Sequence, residues 1–345
     1  PFGIARIFQT EEKREAKNPR MTINSLQDGE GNEVTWVRTG LYSGLVVLPK
    51  PLPAGTPVTL RLQFENKDSI YKLTPSYSYV DRGGWLPFVR FSDMIDEFDL
   101  TVKVPMKYKT LGIGKKVSEV KKDGASITRW VGGSPVSFPT VIYGDYYSQP
   151  SSFKAKKLDG TEIPVTVYFD RDSMGRYEIT PDALTKFANE AANALNLYTK
   201  VYGVDYPYAK LDLVNDPAPA FYGQAPSSLI YLGSAAFWSK GFTGGVLEGG
   251  SNLSRFQDTL VAHETAHQWW GSLISNANDR NYWFVESLAE YSSALFVENV
   301  QGKKQYQQKV DDWRKEILEN DLRGSVQEGY TVRQGPGGFG PYRAS

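Results

Sequence analysis

VAHETAHQWWG, residues 261–271, holds both histidines of a 345-residue chain, His263 and His267, with Glu264 beside the first. At positions i and i+4 of a helix two side chains lie on one face a turn apart, so two imidazole nitrogens can reach one tetrahedral ion. Glu264 is rotated by about 100° from His263, close enough to hold a water at that ion without being a ligand. Apolar periodicity extends the pattern, and a helix is expected over about 254–273.

The chain has no cysteine. Thiol catalysis, disulfides and thiolate metal sites are therefore excluded, and histidine and carboxylate are the strong ligands that remain. With both histidines used, a third ligand has to be a carboxylate. The helical pattern NYWFVESLAEYSSALF, residues 281–296, offers Glu286, far enough past His267 for the first helix to end near Gly271 and a second to cross it. Glu290, one turn further, is placed to accept from an imidazole N–H and fix its ring, whereas Glu298 is expected to face solvent. Trp269, Trp270, Trp283 and Phe284 could line a pocket, but large aromatics here are expected mainly to pack the two helices together.

Outward from this segment the chain changes character. Up to about residue 147, short alternating stretches such as VTWVRTG (34–40), PVTLRLQFEN (57–66), FDLTVKVP (98–105), SITRWV (126–131) and TVIYGDYY (140–147) are divided by turn signals including Asp28-Gly29 and Asp123-Gly124. That is the pattern of antiparallel sheets, and residues 1–147 read as an all-β domain. Gly112-x-Gly114-Lys115 lacks the Ser/Thr and spacing of a phosphate loop and reads as a hairpin. From 148 to 345 strands at 206–214 and 229–232 alternate with helices, one opening at Thr180-Pro181-Asp182 and running to about Tyr202, the later ones over 284–300 and 302–319. Residues 148–345 read as an α+β domain, with a flexible loop at 241–252.

The 39 basic and 39 acidic side chains balance, which gives no electrostatic footprint for nucleic acid and no long-range attraction to anionic membranes. Lys103, Lys107, Lys109, Lys115, Lys116, Lys121 and Lys122 read as solvated strand edges. No apolar run is long enough to span a membrane. The start at Pro1 and the many tyrosines favour an extracytoplasmic chain by a small margin, and the sequence defines no oligomeric state.

AHETAHQWWG, eighteen residues after its second histidine, and then Glu286 in WFVESLAEY resemble the aminopeptidase N family of gluzincin zinc metallopeptidases. YGVDYPYAKLDLV (202–214) resembles the strand entry of their thermolysin-like catalytic domain, and the β-rich first part is similar to their saddle-like N-terminal domain. The resemblance implies one Zn2+ ion bound by His263, His267 and Glu286, Glu264 as general base, and a peptide or protein substrate. It also marks two departures. AFYGQAPSSLIYL (220–232) stands where the family carries the glutamate that grips a free amino terminus, and Gln224 takes that position; Tyr222 and Gly223 adjoin it as expected substrate-binding residues. A neutral amide forfeits the ion pair in a desolvated pocket. The family's oxyanion-stabilising tyrosine lies well beyond the third ligand, and Tyr330 and Tyr342 do not stand in its surroundings, so the chain reads as a fragment of a longer protein. These departures leave a second expectation, a zinc-binding module that recognises peptides with weak or no hydrolysis.

Overall fold

The structure is a computed structural model that describes residues 2–4, 21–40, 43–66, 69–80, 85–88, 94–136, 138–217, 222–237, 259–276 and 282–318. The loop expected at 241–252, Tyr330 and Tyr342 lie outside the described residues.

The first region consists of antiparallel strands. Phe98–Pro105, Ala125–Gly132 and Lys115–Lys122 form one sheet, and Lys109–Gly112, Val141–Gly144, Tyr77–Val80 and Ile70–Thr74 form another. Asp123 and Gly124, with φ of 51° and 75°, close the hairpin between Lys115–Lys122 and Ala125–Gly132. Positive φ at both central residues matches the twist of the flanking strands and favours an Asp-Gly pair. The hairpin expected at Gly112–Lys115 is a correction: Lys109–Gly112 and Lys115–Lys122 belong to different sheets, and the Gly114 N–H bonds to Ser228 Oγ at 2.9 Å. All eight residues of Lys115–Lys122 are exposed, the solvated edge expected of its lysines.

TVIYGDYY, read as one strand, breaks at Asp145. Its second half, Tyr146–Pro150, crosses into the sheet of the second region, where it pairs antiparallel with Val165–Asp170. That sheet continues in parallel through Leu211–Asp216 and Leu229–Gly233, and ends on the antiparallel edge strand Gly223–Gln224. The central strand Leu211–Asp216 is buried along its whole length, as parallel strands covered on both faces are.

The helix Pro181–Tyr202 makes the crossover between Val165–Asp170 and Leu211–Asp216. Thr180 Oγ1 accepts from Ala183 N at 3.2 Å, Pro181 occupies the first turn, and Gly203 at φ 64° ends the helix in the left-handed region. Its buried stripe of Leu184, Ala188, Ala191, Ala192, Leu195 and Tyr198 lies against the sheet and the histidine-bearing helix. Among the described residues three further α-helices follow: Leu260–Ala266, Tyr282–Gln301 and Lys303–Leu318. The first is shorter than the expected 254–273, of which 254–258 lie outside the described residues. It stops at His267, after which Gly271, at φ 108°, turns the chain. A Cβ on Gly271 would also stand 2.9 Å from Val285 Cγ1, so the position requires glycine twice over. No described helix is long and apolar enough to cross a membrane.

Candidate metal centre

The helix Leu260–Ala266 is buried throughout, so its polar residues have no bulk water to satisfy them and must find partners in the protein. His263 and His267 project together, as the i, i+4 spacing requires, and their Nε2 atoms are 3.1 Å apart. Glu286, on the helix Tyr282–Gln301, brings Oε2 to 3.4 Å from each of them. The ligand atoms of these three residues all lie within 4.8 Å of one another.

Partners of the other ring nitrogens fix the tautomers. His267 Nδ1 is 2.9 Å from the carbonyl oxygen of Trp270, which only accepts, so Nδ1 carries the proton. His263 Nδ1 is 3.1 Å from Glu290 Oε2. In the neutral rings both Nε2 atoms are therefore lone pairs, and with Glu286 three acceptors converge without a donor among them. Such a triangle calls for a cation. Donors bound at about 2.0–2.1 Å on a tetrahedral zinc stand about 3.3 Å apart, and the edges here are 3.1, 3.4 and 3.4 Å. The residues present fit the ion.

The charge balance leads to the same conclusion. Burial works against a charged His263, yet Glu286 and Glu290 outweigh it and push the imidazole up to about 10. His267 is raised as well, burial being overcome by Glu286. Burial would lift Glu286 and Glu290, but the imidazoles hold Glu286, and Lys309 with His263 holds Glu290, well below the usual carboxylate range. Lys309 Nζ, from the helix Lys303–Leu318, lies 2.9 Å from Glu290 Oε1 and 5.5 Å from the centre of the Trp313 ring.

Glu264 is 4% exposed and shares the short helix with His263, His267 being the C-cap of that helix. A Cβ added to Gly223 would sit 2.2 Å from Glu264 Oε1 and 2.3 Å from Cδ, so the edge strand lies directly against this carboxylate. Gln224 is exposed beside it. Tyr222 gives its hydroxyl to the carboxylate of Asp216. Trp269 is buried and packs edge-on against Tyr198 and Tyr202 of the helix Pro181–Tyr202, a different helix from the two it was expected to pack together.

Three contributors carry no local signal. Lys309 sits in a polar helix among other lysines, the Trp270 contribution is a backbone carbonyl, and Asp216 meets Tyr222 only through the sheet. The adjacency of Gln268 to His267 could have drawn attention to it, since it is a fully buried amide.

Residues 187–333 match the model of the peptidase family M1 domain. Aminopeptidase M1-B of Oryza sativa subsp. japonica is 26% identical over 203 residues, covering 59% of this chain and 21% of the relative. Aminopeptidase 2 of Candida albicans is 28% identical over 176 residues, covering 50% of this chain and 16% of the relative. The chain thus spans about a fifth of the length of the curated relatives it matches. Among solved structures, an M1 zinc metallopeptidase variant from Deinococcus radiodurans bound to a Tyr-Ser-Ala substrate has a TM-score of 0.67 at 17% identity, covering 93% of this chain and 70% of that one. Legionella pneumophila aminopeptidase A in complex with aspartic acid has a TM-score of 0.66 at 18% identity, covering 90% and 37%.

Proposed function

Because the chain belongs to the aminopeptidase N family of gluzincin zinc metallopeptidases, we propose that it hydrolyses peptide bonds at the centre formed by His263, His267 and Glu286. The observation that carries this reading is the convergence of those three acceptors with Glu264 on the same turn of buried helix. Zinc held there supplies Lewis acidity, acidifying water and polarising a peptide carbonyl.

The remaining chemistry belongs to the chain. Glu264 takes the proton of the attacking water and delivers it to the leaving amine, the work of a general base and then a general acid. With both histidines committed to the metal, no imidazole is left for this step. Glu290 and the Trp270 carbonyl keep the two rings oriented through their Nδ1 protons. The strand Gly223–Gln224 is the edge of its sheet and, among the described residues, pairs on one side only. An extended peptide added along it would present its carbonyls toward Glu264.

Names of the similar proteins favour an aminopeptidase. Gln224, an exposed amide where the resemblance places an amine-gripping glutamate, favours the second reading of a peptide-binding module with weak hydrolysis. A panel of fluorogenic substrates separates these. Cleavage of free-amino aminoacyl substrates is expected for an exopeptidase and cleavage of blocked, internally quenched peptides for an endopeptidase. Silence with one zinc bound per chain would overturn hydrolysis and leave the binding module.

A further inference from the structure

The edge strand beside Glu264 has only two residues, Gly223 and Gln224, paired with Leu232 and Tyr231. Few ladder bonds hold it, among them Gly233 N–H to Tyr222 O at 2.9 Å. A strand this short does not fix its own position. Side chains anchor both ends. At the start, the Tyr222 hydroxyl donates to Asp216, the last residue of the buried central strand. Past the end, Gln268 holds the chain: its Oε1 accepts from Ser228 N at 2.7 Å, and its Nε2 donates to Pro226 O at 3.3 Å.

Ser228 shows how firmly that segment is held. Its φ of 62° lies in the left-handed region, which costs an L-residue energy and persists only where the surroundings over-determine it. Besides the Gln268 bond, its carbonyl accepts from Asp212 N at 3.1 Å and Lys210 Nζ at 3.3 Å, and its hydroxyl accepts from Gly114 N at 2.9 Å.

We propose that Gln268 is a positioning residue that fixes the peptide-receiving edge strand at its distance from the metal centre, by bridging the turn that carries His267 to Pro226 and Ser228. The role rests on the peptidase reading above. Gln268 follows His267 directly in the chain, so its amide ties the strand to the same turn that supplies a metal ligand. The clearance leaves no slack, since even a Cβ on Gly223 would collide with Glu264. A neutral amide supplies one acceptor and one donor here. A glutamate would keep the acceptor but set a second oxygen against the Pro226 carbonyl, and a methionine would fill the space with neither.

The test compares the zinc-loaded chain with Gln268→Met and Gln268→Glu by metal content, amide hydrogen exchange and kinetics on a fluorogenic peptide. Zinc stoichiometry is expected to stay at one. Protection of amides in 222–233 should fall by about tenfold or more in Gln268→Met, while the helix Tyr282–Gln301 keeps its protection. KM should rise by about tenfold with kcat within about threefold, because the strand and not the reacting groups has moved. Gln268→Glu should do the same to a lesser degree. Unchanged exchange in 222–233 overturns the proposal whatever the activity, and so does a fall in kcat at constant KM. Loss of protection throughout both variants also overturns it, making Gln268 a general stability residue. A silent wild-type protein with zinc bound overturns the peptidase reading alone, and exchange then still decides whether Gln268 positions the strand.

Discussion

Lys309 Nζ stands 2.9 Å from Glu290 Oε1, so the carboxylate that receives His263 Nδ1 is itself gripped by a cation from the following helix. The candidate metal centre is thereby tied to three helices: one that His263 belongs to and His267 caps, one carrying both glutamates, and one carrying the lysine. Removing that lysine leaves Glu290 a buried charge with one fewer partner. Lys309→Met is expected to weaken zinc binding by about tenfold, in the range for lost outer partners of metal ligands, and to lower thermal stability. Competition with a chromophoric chelator measures the first effect and a melting curve the second. Unchanged zinc affinity would remove Lys309 from the centre.

Glu264 and Glu286 should separate cleanly. Glu264→Gln is expected to keep one zinc per chain and lose about 10²- to 10⁴-fold in turnover, the usual contribution of a general base. Glu286→Ala should lose the metal itself. Elemental analysis of the purified variants beside a peptidase assay distinguishes the two roles, and retained activity in Glu264→Gln would sink its assignment.

Gly223 faces the Glu264 carboxylate with no room for a methyl group. In Gly223→Ala either the strand or the carboxylate must shift. We expect zinc to remain bound and turnover to fall by about 10²-fold, as a displacement of about 1 Å in a catalytic constellation can cause. An alanine variant with full activity would mean that the strand does not approach Glu264 during turnover.

The metal-free protein should show an acid-side optimum of stability. His263 is raised from 6.5 to about 10 on folding, so its contribution is complete below about pH 6.5 and is lost as pH rises through about 10. Glu286 and Glu290 are depressed from 4.5, so theirs is present above about pH 4.5 and lost as pH falls further. Chelator-treated protein is therefore expected to be most stable between about pH 4.5 and 6.5 and to melt progressively lower toward pH 10. Zinc bound by His263, His267 and Glu286 would supply positive charge that does not titrate away, so the loaded protein should lose less on the alkaline side. Melting curves at pH 6 and pH 9, with and without zinc, check the sign.

What could be read from the sequence divides along lines of locality. The meeting of His263 with His267 is set by helical spacing, and Glu286 stands in the next helical pattern, so periodicity and the lack of any other strong ligand type bring the three together. The helix Pro181–Tyr202 is announced by its own cap, proline and first-turn acid. The histidine helix is shorter than its apolar pattern because Gly271 turns the chain where it meets Val285, a contact between segments that periodicity does not encode. The break at Asp145 has the same origin: Tyr146 pairs with Asp170 and so leaves the sheet that Gly144 belongs to. Lys309 acts through Glu290 on the preceding helix and Asp216 through the hydroxyl of Tyr222, six residues on, and nothing in their own neighbourhoods sets them apart.

The crossing strand Tyr146–Pro150 bears on how this chain can be divided. It forms the outer rung beside Val165–Asp170, and Asp170 in turn takes hydrogen bonds from Ser76 of the first region and Ser173 at the start of the next helix. A piece beginning at Ser148 would lose Tyr146 and Tyr147, frayed from the end that meets Asp170 and Phe169, and would open that edge to pairing with other chains. Expression of the second region in isolation therefore calls for a start ahead of Asp145.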